Sequence, residues 1–368
     1  MTLGPERATL LERFLTIFNI PYYLGCFIVI LIFGPIGALL SAYLQTKNIY
    51  EAYNKTVYLF FGVQLPHWQG VAGLSLLLVI LFYFLYMIRY MRLKLVAAEQ
   101  LLIPLFPEGE DTYHNVFGHV SLILPPIIIE IVIIAFFFLQ AIPETPINFI
   151  VYCSAPAAIF YLIISFPVWF LIFSTFAWVY FSSIRGLHEL GKKSLNLKPF
   201  YEDRMLGVRP IGSLSLSLAF TYFVGLGILT LLPIVIRPDP SPIEYIFLLL
   251  ILTLLGVIFF FLPLNTIHNR MLDKKSTEQK ALLEEFRGAV SNLSELNARK
   301  NSGSSILDLK EILISQTLVL TFGIKKEEVT SIPTWPFDTQ ILGRFTAMIF
   351  SIITTIIATI IIKRILNL

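Results

Sequence analysis

The chain has 368 residues, 56% hydrophobic and only 14% charged, with 32 Phe and 16 Tyr. That composition is too apolar for a water-soluble domain of this size and points to a chain dissolved in lipid. The net charge of +3 is small in total but uneven along the chain. The two cysteines, Cys26 and Cys153, both lie in apolar segments; their number excludes a disulfide framework and their lack of partner ligands a cysteine metal site.

An apolar stretch of about 18 or more residues crosses a hydrocarbon core of about 30 Å as a helix. Seven stretches qualify, at about 21–44, 69–91, 117–142, 149–182, 211–236, 241–264 and 340–362. A polar head precedes the first, which therefore reads as a signal anchor rather than a cleaved signal peptide. The fourth is longer than a bilayer requires and contains Pro156 and Pro167, predicting a tilt or a kink. The 51–68 stretch, with Tyr58 and Trp68 but cut by Gln64 and Pro66, predicts an interfacial segment rather than an eighth span. The expected fold is all-α, a polytopic membrane protein with seven transmembrane helices. No internal repeat is visible, and the odd number of spans argues against an inverted-repeat transporter.

Lys and Arg set the expected orientation. With the N-terminus inside, the inner segments hold Arg7, Arg13, Arg89, Arg92, Lys94, Arg185, Lys192, Lys193, Lys198, Arg204 and Arg209. The short outer loops hold only Lys47, Lys55 and Arg237. The bias predicts a cytoplasmic N-terminus, an external C-terminus and a cell-membrane location. Lys363 and Arg364 can then snorkel to the outer headgroups, and the sequon Asn54-Lys-Thr56 faces outside. The basic connection 185–209, with Phe200 and Tyr201, suits anionic lipid heads, so lipid is the expected partner and nucleic acid is not.

Glu130 is the one formal charge deep in a span, and Pro125 and Pro126 lie one turn away, where they would free backbone carbonyls. It reads either as an ion or proton site or as a structural glutamate. In the fifth span Ser213, Ser217, Thr221 and Gly225 recur every four residues and form a small-polar stripe. Close helix packing and a pore-facing wall both explain such a stripe. The last span repeats the pattern with Ala347, Ser351, Thr354 or Thr355, and Ala358, one turn after Arg344. Copies of that helix around an axis would line a pore with hydroxyls; a lone copy would pack the stripe on the other six helices.

The loop with Glu108, Glu110, Asp111, His114 and His119 offers carboxylates and imidazoles, but its simpler reading is a solvated loop with Asp111 capping a helix. No metal or cofactor is expected. Nor is an enzyme expected: the chain lacks His-Glu-x-x-His, Gly-x-Ser-x-Gly, a Walker loop, a dinucleotide fingerprint and Cys-x-x-Cys.

Beyond Pro263 the chain turns charged, and Leu282, Phe286, Ala289, Leu293 and Leu296 follow heptad spacing. A turn at 301–305 and a return helix, capped by Ser305 with Asp308 and ended by Gly323, complete a hairpin. In the return arm Ile306, Leu309, Ile312 or Leu313, and Val319 or Leu320 are the expected partners of that seam. Three regions result: a six-span region at 1–265, a cytoplasmic hairpin at 266–332, and an elbow with the seventh helix at 333–368. In the elbow, Trp335, Pro336 and Phe337 form an aromatic interfacial anchor, and Asp338 complements the dipole of the last helix.

Two stretches, Tyr201-Glu-Asp-Arg-Met-Leu-Gly-Val-Arg-Pro-Ile-Gly-Ser213 and Pro333-Thr-Trp-Pro-Phe-Asp-Thr-Gln-Ile-Leu-Gly-Arg-Phe345, resemble segments of uncharacterised prokaryotic multi-pass membrane proteins. In topology the chain also resembles the seven-transmembrane ion-channel superfamily of insect chemoreceptors. That resemblance implies cytoplasmic helical extensions and a last helix lining a tetrameric pore; the insect family's tyrosine signature in that helix is missing here. The expected function is an oligomeric channel or chemoreceptor-like protein, with a small-molecule ligand as a further partner. The alternatives are a non-conducting sensor or scaffold and a proton-coupled transporter using Glu130.

Overall fold

The computed structural model describes residues 8–9, 12–13, 20–61, 66–107, 109–141, 164–199, 202–231, 242–300 and 306–365. Among them every regular element is helical. Seven helical stretches are long and apolar enough to cross a membrane, the architecture of a multi-pass membrane protein.

The first stretch is two helices, α1 (Tyr22–Phe33) and α2 (Pro35–Thr46), rather than the single helix expected over 21–44. The break falls at Gly34, whose backbone is extended, and Pro35 then restarts the helix where no N–H is needed. Helix α3 (Ile49–Phe61) folds back on α2, burying Ala52, Thr56 and Val57, and is too short to span a bilayer.

Helix α4 (His67–Leu102) overruns its expected end by about three turns and stops at the turn containing Pro104. Helix α5 (Glu110–Phe117) begins at Glu110, so Asp111 sits in its first turn rather than capping it. Helix α6 (Leu124–Ala141) carries Pro125 and Pro126 in its own first turn. There they start the helix instead of opening it beside Glu130, which corrects the expected free carbonyls. The described part of the fourth span is α7 (Phe166–Lys192), which begins with Pro167 and runs past the expected end at 182; Pro156 and Cys153 fall outside the described residues.

Four helices form the centre: α4, α7, α8 (Arg209–Leu229) and the membrane half of α9 (Pro242–Lys300). Leu85, Ile88, Met91, Leu187, Ile211, Phe223, Phe260 and Leu264 fill it. Its hydroxyls find backbone partners: Tyr83 donates to the Thr221 carbonyl, Tyr222 to Leu252 at 2.8 Å, and Ser215 to Phe260 at 3.1 Å. In hydrocarbon such partners are what make buried polar groups tolerable. Helix α6 leans on α7, and α11 (Thr339–Ile365) leans on α8 and α9.

Helix α9 continues unbroken through Pro263 for 59 residues, and α10 (Ile306–Thr330) returns along it. Phe286 stacks on Phe322 at 4.0 Å, Ala289 is buried, Leu282 is half-buried and Lys325 pairs with Glu285 at 3.4 Å. The side chains of Leu293 and Leu296, and the turn 301–305, lie outside the described residues. One expectation fails here. Gly323 does not end the return helix, which continues to Thr330, because nothing there supplies the backbone reversal that a glycine cap requires. Of the expected partners of the seam, Leu313 and Leu320 are exposed, Leu320 to 79%, and Phe322 meets Phe286; the side chains of Ile306, Leu309, Ile312 and Val319 lie outside the described residues.

The antiparallel path gathers one end of α4, α7, α8 and α11 beside the hairpin. The connection into α8 is built on Asp203, whose carboxylate accepts the Met205 and Gly207 N–H groups at 2.9 and 3.1 Å. That turn places Leu206 and Gly207 at positive φ, buries Leu206 and Val208, and presents Arg209 at the start of α8.

Candidate functional site

The segment from Ser331 to Asp338 is held from two sides. From α9, Lys275 donates to the Thr330 and Ile332 carbonyls at 2.6 and 2.8 Å, and His268 donates Nδ1–H to the Thr334 carbonyl at 2.7 Å. The His268 ring also stacks on Trp335 at 4.1 Å. From α8, Gly212 receives the elbow: a Cβ there would lie 1.9 Å from the Pro336 carbonyl oxygen. Trp335 and Phe337, expected as membrane anchors, are half-buried and pack on Phe261 and Phe260. Phe345, nearly two turns into α11, stacks on Phe260 at 4.0 Å and meets Phe223 edge-on.

Asp338 joins elbow to helix. One of its carboxylate oxygens accepts the Ile341 N–H at 2.9 Å, and the other pairs with Arg209 at 2.8 Å. The Ile341 N–H and the Arg209 guanidinium hold its carboxyl below the usual carboxylate range.

Next to this joint lies a cavity of about 380 Å³ between α4, α8 and α11. Its walls include Lys94, Arg209, Arg344, Asp338, Ser213 and Ser217. The structure thus brings together residues that the sequence assigned to three different features: the stripe of the fifth span, the elbow and the last helix. Thr221, the third member of the α8 stripe, is buried, and its hydroxyl donates to the Ser217 carbonyl at 3.1 Å.

Helix α11 has three faces. Ile341, Phe345, Ile352 and Thr359 are buried. Phe350, Ile353, Ile357 and Ile361 form an exposed apolar face. Arg344, Ala347, Ser351, Thr354 and Ala358 form an exposed small-polar face, with Thr355 half-buried at its edge. The expected stripe is therefore present, and among the described residues no other helix covers it. The Thr354 and Thr355 hydroxyls donate to the Phe350 and Ser351 carbonyls at 2.9 and 2.8 Å, which leaves oxygen lone pairs outward.

Glu130 stands apart from both features. It is half-buried on α6 between exposed Ile128 and Ile131, and among the described residues it has no hydrogen-bond or ion-pair partner.

Of the carboxylate–imidazole loop, Glu110 and His114 meet at 3.0 Å, and Glu99 from α4 completes the group at 3.5 Å from the same ring nitrogen. Their three ligand atoms lie within 4.8 Å of one another, enough to offer a divalent cation a partial shell. Asp111 is exposed and His119 lies in the turn beyond, where its carbonyl accepts the Trp178 indole N–H; Glu108 lies outside the described residues.

Sequence reasoning missed Lys94 as a wall of the cavity, Gly212 as the seat of the elbow, and Glu99, His268 and Lys275 altogether. Each acts across helices remote in sequence, so no local pattern marks it. Comparison with protein-family models, curated proteins and solved structures finds no match, so the functional reading rests on this geometry.

Proposed function

We propose that this protein is a homo-oligomeric membrane channel in which the small-polar face of α11 lines an ion path at the axis between copies. The exposure of Ala347, Ser351, Thr354 and Ala358 beside a separate exposed apolar face carries this reading. Lipid is well matched by Phe350, Ile353 and Ile357, whereas a stripe of small and hydroxyl side chains is better matched by another helix or by water. Arg344 at the hairpin end of the stripe gives the path a positive mouth, which favours anions. The charge bias of the loops supports a cytoplasmic hairpin. Exposed Leu313, Leu320 and Ile324 on α10 supply apolar surface for contact between copies. The topological resemblance to insect chemoreceptor channels argues for four. The clamped elbow would pass movement of the hairpin to α11, which is the arrangement of a gate.

Purified protein in liposomes is expected to pass anions, to migrate as an oligomer in mild detergent, and to lose flux in Ser351→Trp with assembly intact. A monomer without flux would overturn the proposal. The same exposed α10 residues favour a second reading, a non-conducting sensor or scaffold that docks a cytoplasmic partner. Under that reading Leu320→Glu abolishes partner capture and leaves any flux unchanged. Proton-coupled transport through Glu130 gains no support from its peripheral position; uptake abolished by Glu130→Gln would revive it.

A further inference from the structure

The cavity between α4, α8 and α11 holds more positive charge than its own residues neutralise. Lys94, Arg209 and Arg344 face it against one carboxylate, Asp338. That carboxylate is engaged on both oxygens, by the Ile341 N–H and by Arg209. Lys94 lies over the Tyr90 ring at 5.5 Å, and among the described residues neither Lys94 nor Arg344 has a carboxylate partner. On the α8 wall Ser213 is exposed, and Ser217 donates to the Ser213 carbonyl at 3.0 Å. The amino ends of α8 and α11 both border the cavity, and that of α11 is already capped by Asp338. At about 380 Å³ the space exceeds what a bare ion fills and lies within the usual range of about 300–1,000 Å³ for small-ligand sites. Leu101, exposed on α4, gives the rim an apolar border.

We infer that this cavity binds a phosphate-bearing anion, which bridges α4 to the elbow and to α11 through Lys94, Arg209 and Arg344. Arg presents a fork of donors that matches phosphate oxygens, and Lys adds a point charge. The apolar rim at the ends of membrane-spanning helices suits the phosphate of an anionic phospholipid; a soluble phosphate ester offers the same chemistry. The inference needs no conduction, and Lys94 lies outside the proposed pore wall, so the two readings fail separately.

The test titrates the full-length protein in neutral detergent with phosphatidylglycerol, phosphatidylcholine and, separately, inorganic phosphate. Binding is read by native mass spectrometry and by the rise in unfolding temperature. Phosphatidylglycerol is expected to bind saturably, and about tenfold or more weakly in Lys94→Gln and in Arg344→Gln. Lys280→Gln, which removes the same charge from the exposed hairpin, should bind like the parent. Lys94 is exposed and makes no hydrogen bond, so its variant is expected to unfold at the parent temperature without ligand. Inorganic phosphate binding with the same dependence on Lys94 upholds the inference and assigns the site to a soluble phosphate. Equal binding of phosphatidylcholine, equal effects of Lys94→Gln and Lys280→Gln, or no binding of any phosphate-bearing probe would overturn it.

Discussion

Helices α8 and α11 carry nearly the same sequence pattern and have opposite fates. Both place small and hydroxyl residues along one face, yet 56% of the apolar stretch of α8 is buried against 17% of that of α11. The α8 stripe sinks as it proceeds: Ser213 is exposed, Ser217 half-buried, Thr221 buried, and Gly225 lies under the Tyr83 hydroxyl. The α11 stripe stays exposed except for half-buried Thr355. A small-polar stripe therefore does not by itself fix burial; the rest of the chain decides what covers it. In α8 the cover is α4, through Tyr83; in α11 no described helix of this chain provides it.

The contrast can be broken at several points. The largest effect is expected from Phe345→Ala, which removes the buried ring joining α11 to Phe260 and Phe223. A loss of about 3–5 kcal/mol is expected, read as a fall in unfolding temperature with release of α11 to protease. Gly212→Ala comes next, because its Cβ would meet the Pro336 backbone, which cannot swing aside as a side chain can. A cost of about 1–3 kcal/mol is expected. Gly343→Ala, on the open side of α11 with nothing within 4 Å, should instead be neutral or stabilising by about 0.5–1 kcal/mol. Equal costs at the two glycines would erase the distinction drawn between the helices.

Asp338→Ala should cost about 0.5–2 kcal/mol as a lost helix cap, and Asp338→Asn less. The sign of its pH dependence follows from the lowered carboxyl. Its contribution is complete above the ordinary carboxylate range and disappears as pH falls through the lowered value. Unfolding temperature should therefore show an Asp338-dependent decline only below about pH 4, absent in Asp338→Asn. The smallest effect is expected from Thr354→Val, within about 0.5 kcal/mol, since the hydroxyl bonds only its own helix.

Much of this fold is legible in the chain because its information is local. Seven apolar stretches of bilayer length, the charged run after Pro263 and the Pro-Thr-Trp-Pro elbow each announce themselves within a window of about twenty residues. What sequence left open depends on partners distant in the chain. Lys94, Arg209 and Arg344 look like ordinary basic residues at the ends of spans until antiparallel packing brings them to one cavity. Gly323 looks like a cap and is an ordinary helical residue, without the positive φ that a glycine cap takes. Trp335 looks like a membrane anchor, and its ring also lies on His268, which no spacing rule connects to it.

The central claim is that the small-polar face of α11 meets its counterpart in another copy. Single cysteines at 347–358 in a background lacking Cys26 and Cys153, oxidised in native membranes, test it directly. The account predicts disulfide-linked dimers at Ala347, Ser351, Thr354 and Ala358, and little at buried Ile352 or lipid-facing Ile353 and Ile357. Crosslinking centred on Ile353 and Ile357, or none along the helix, would contradict it.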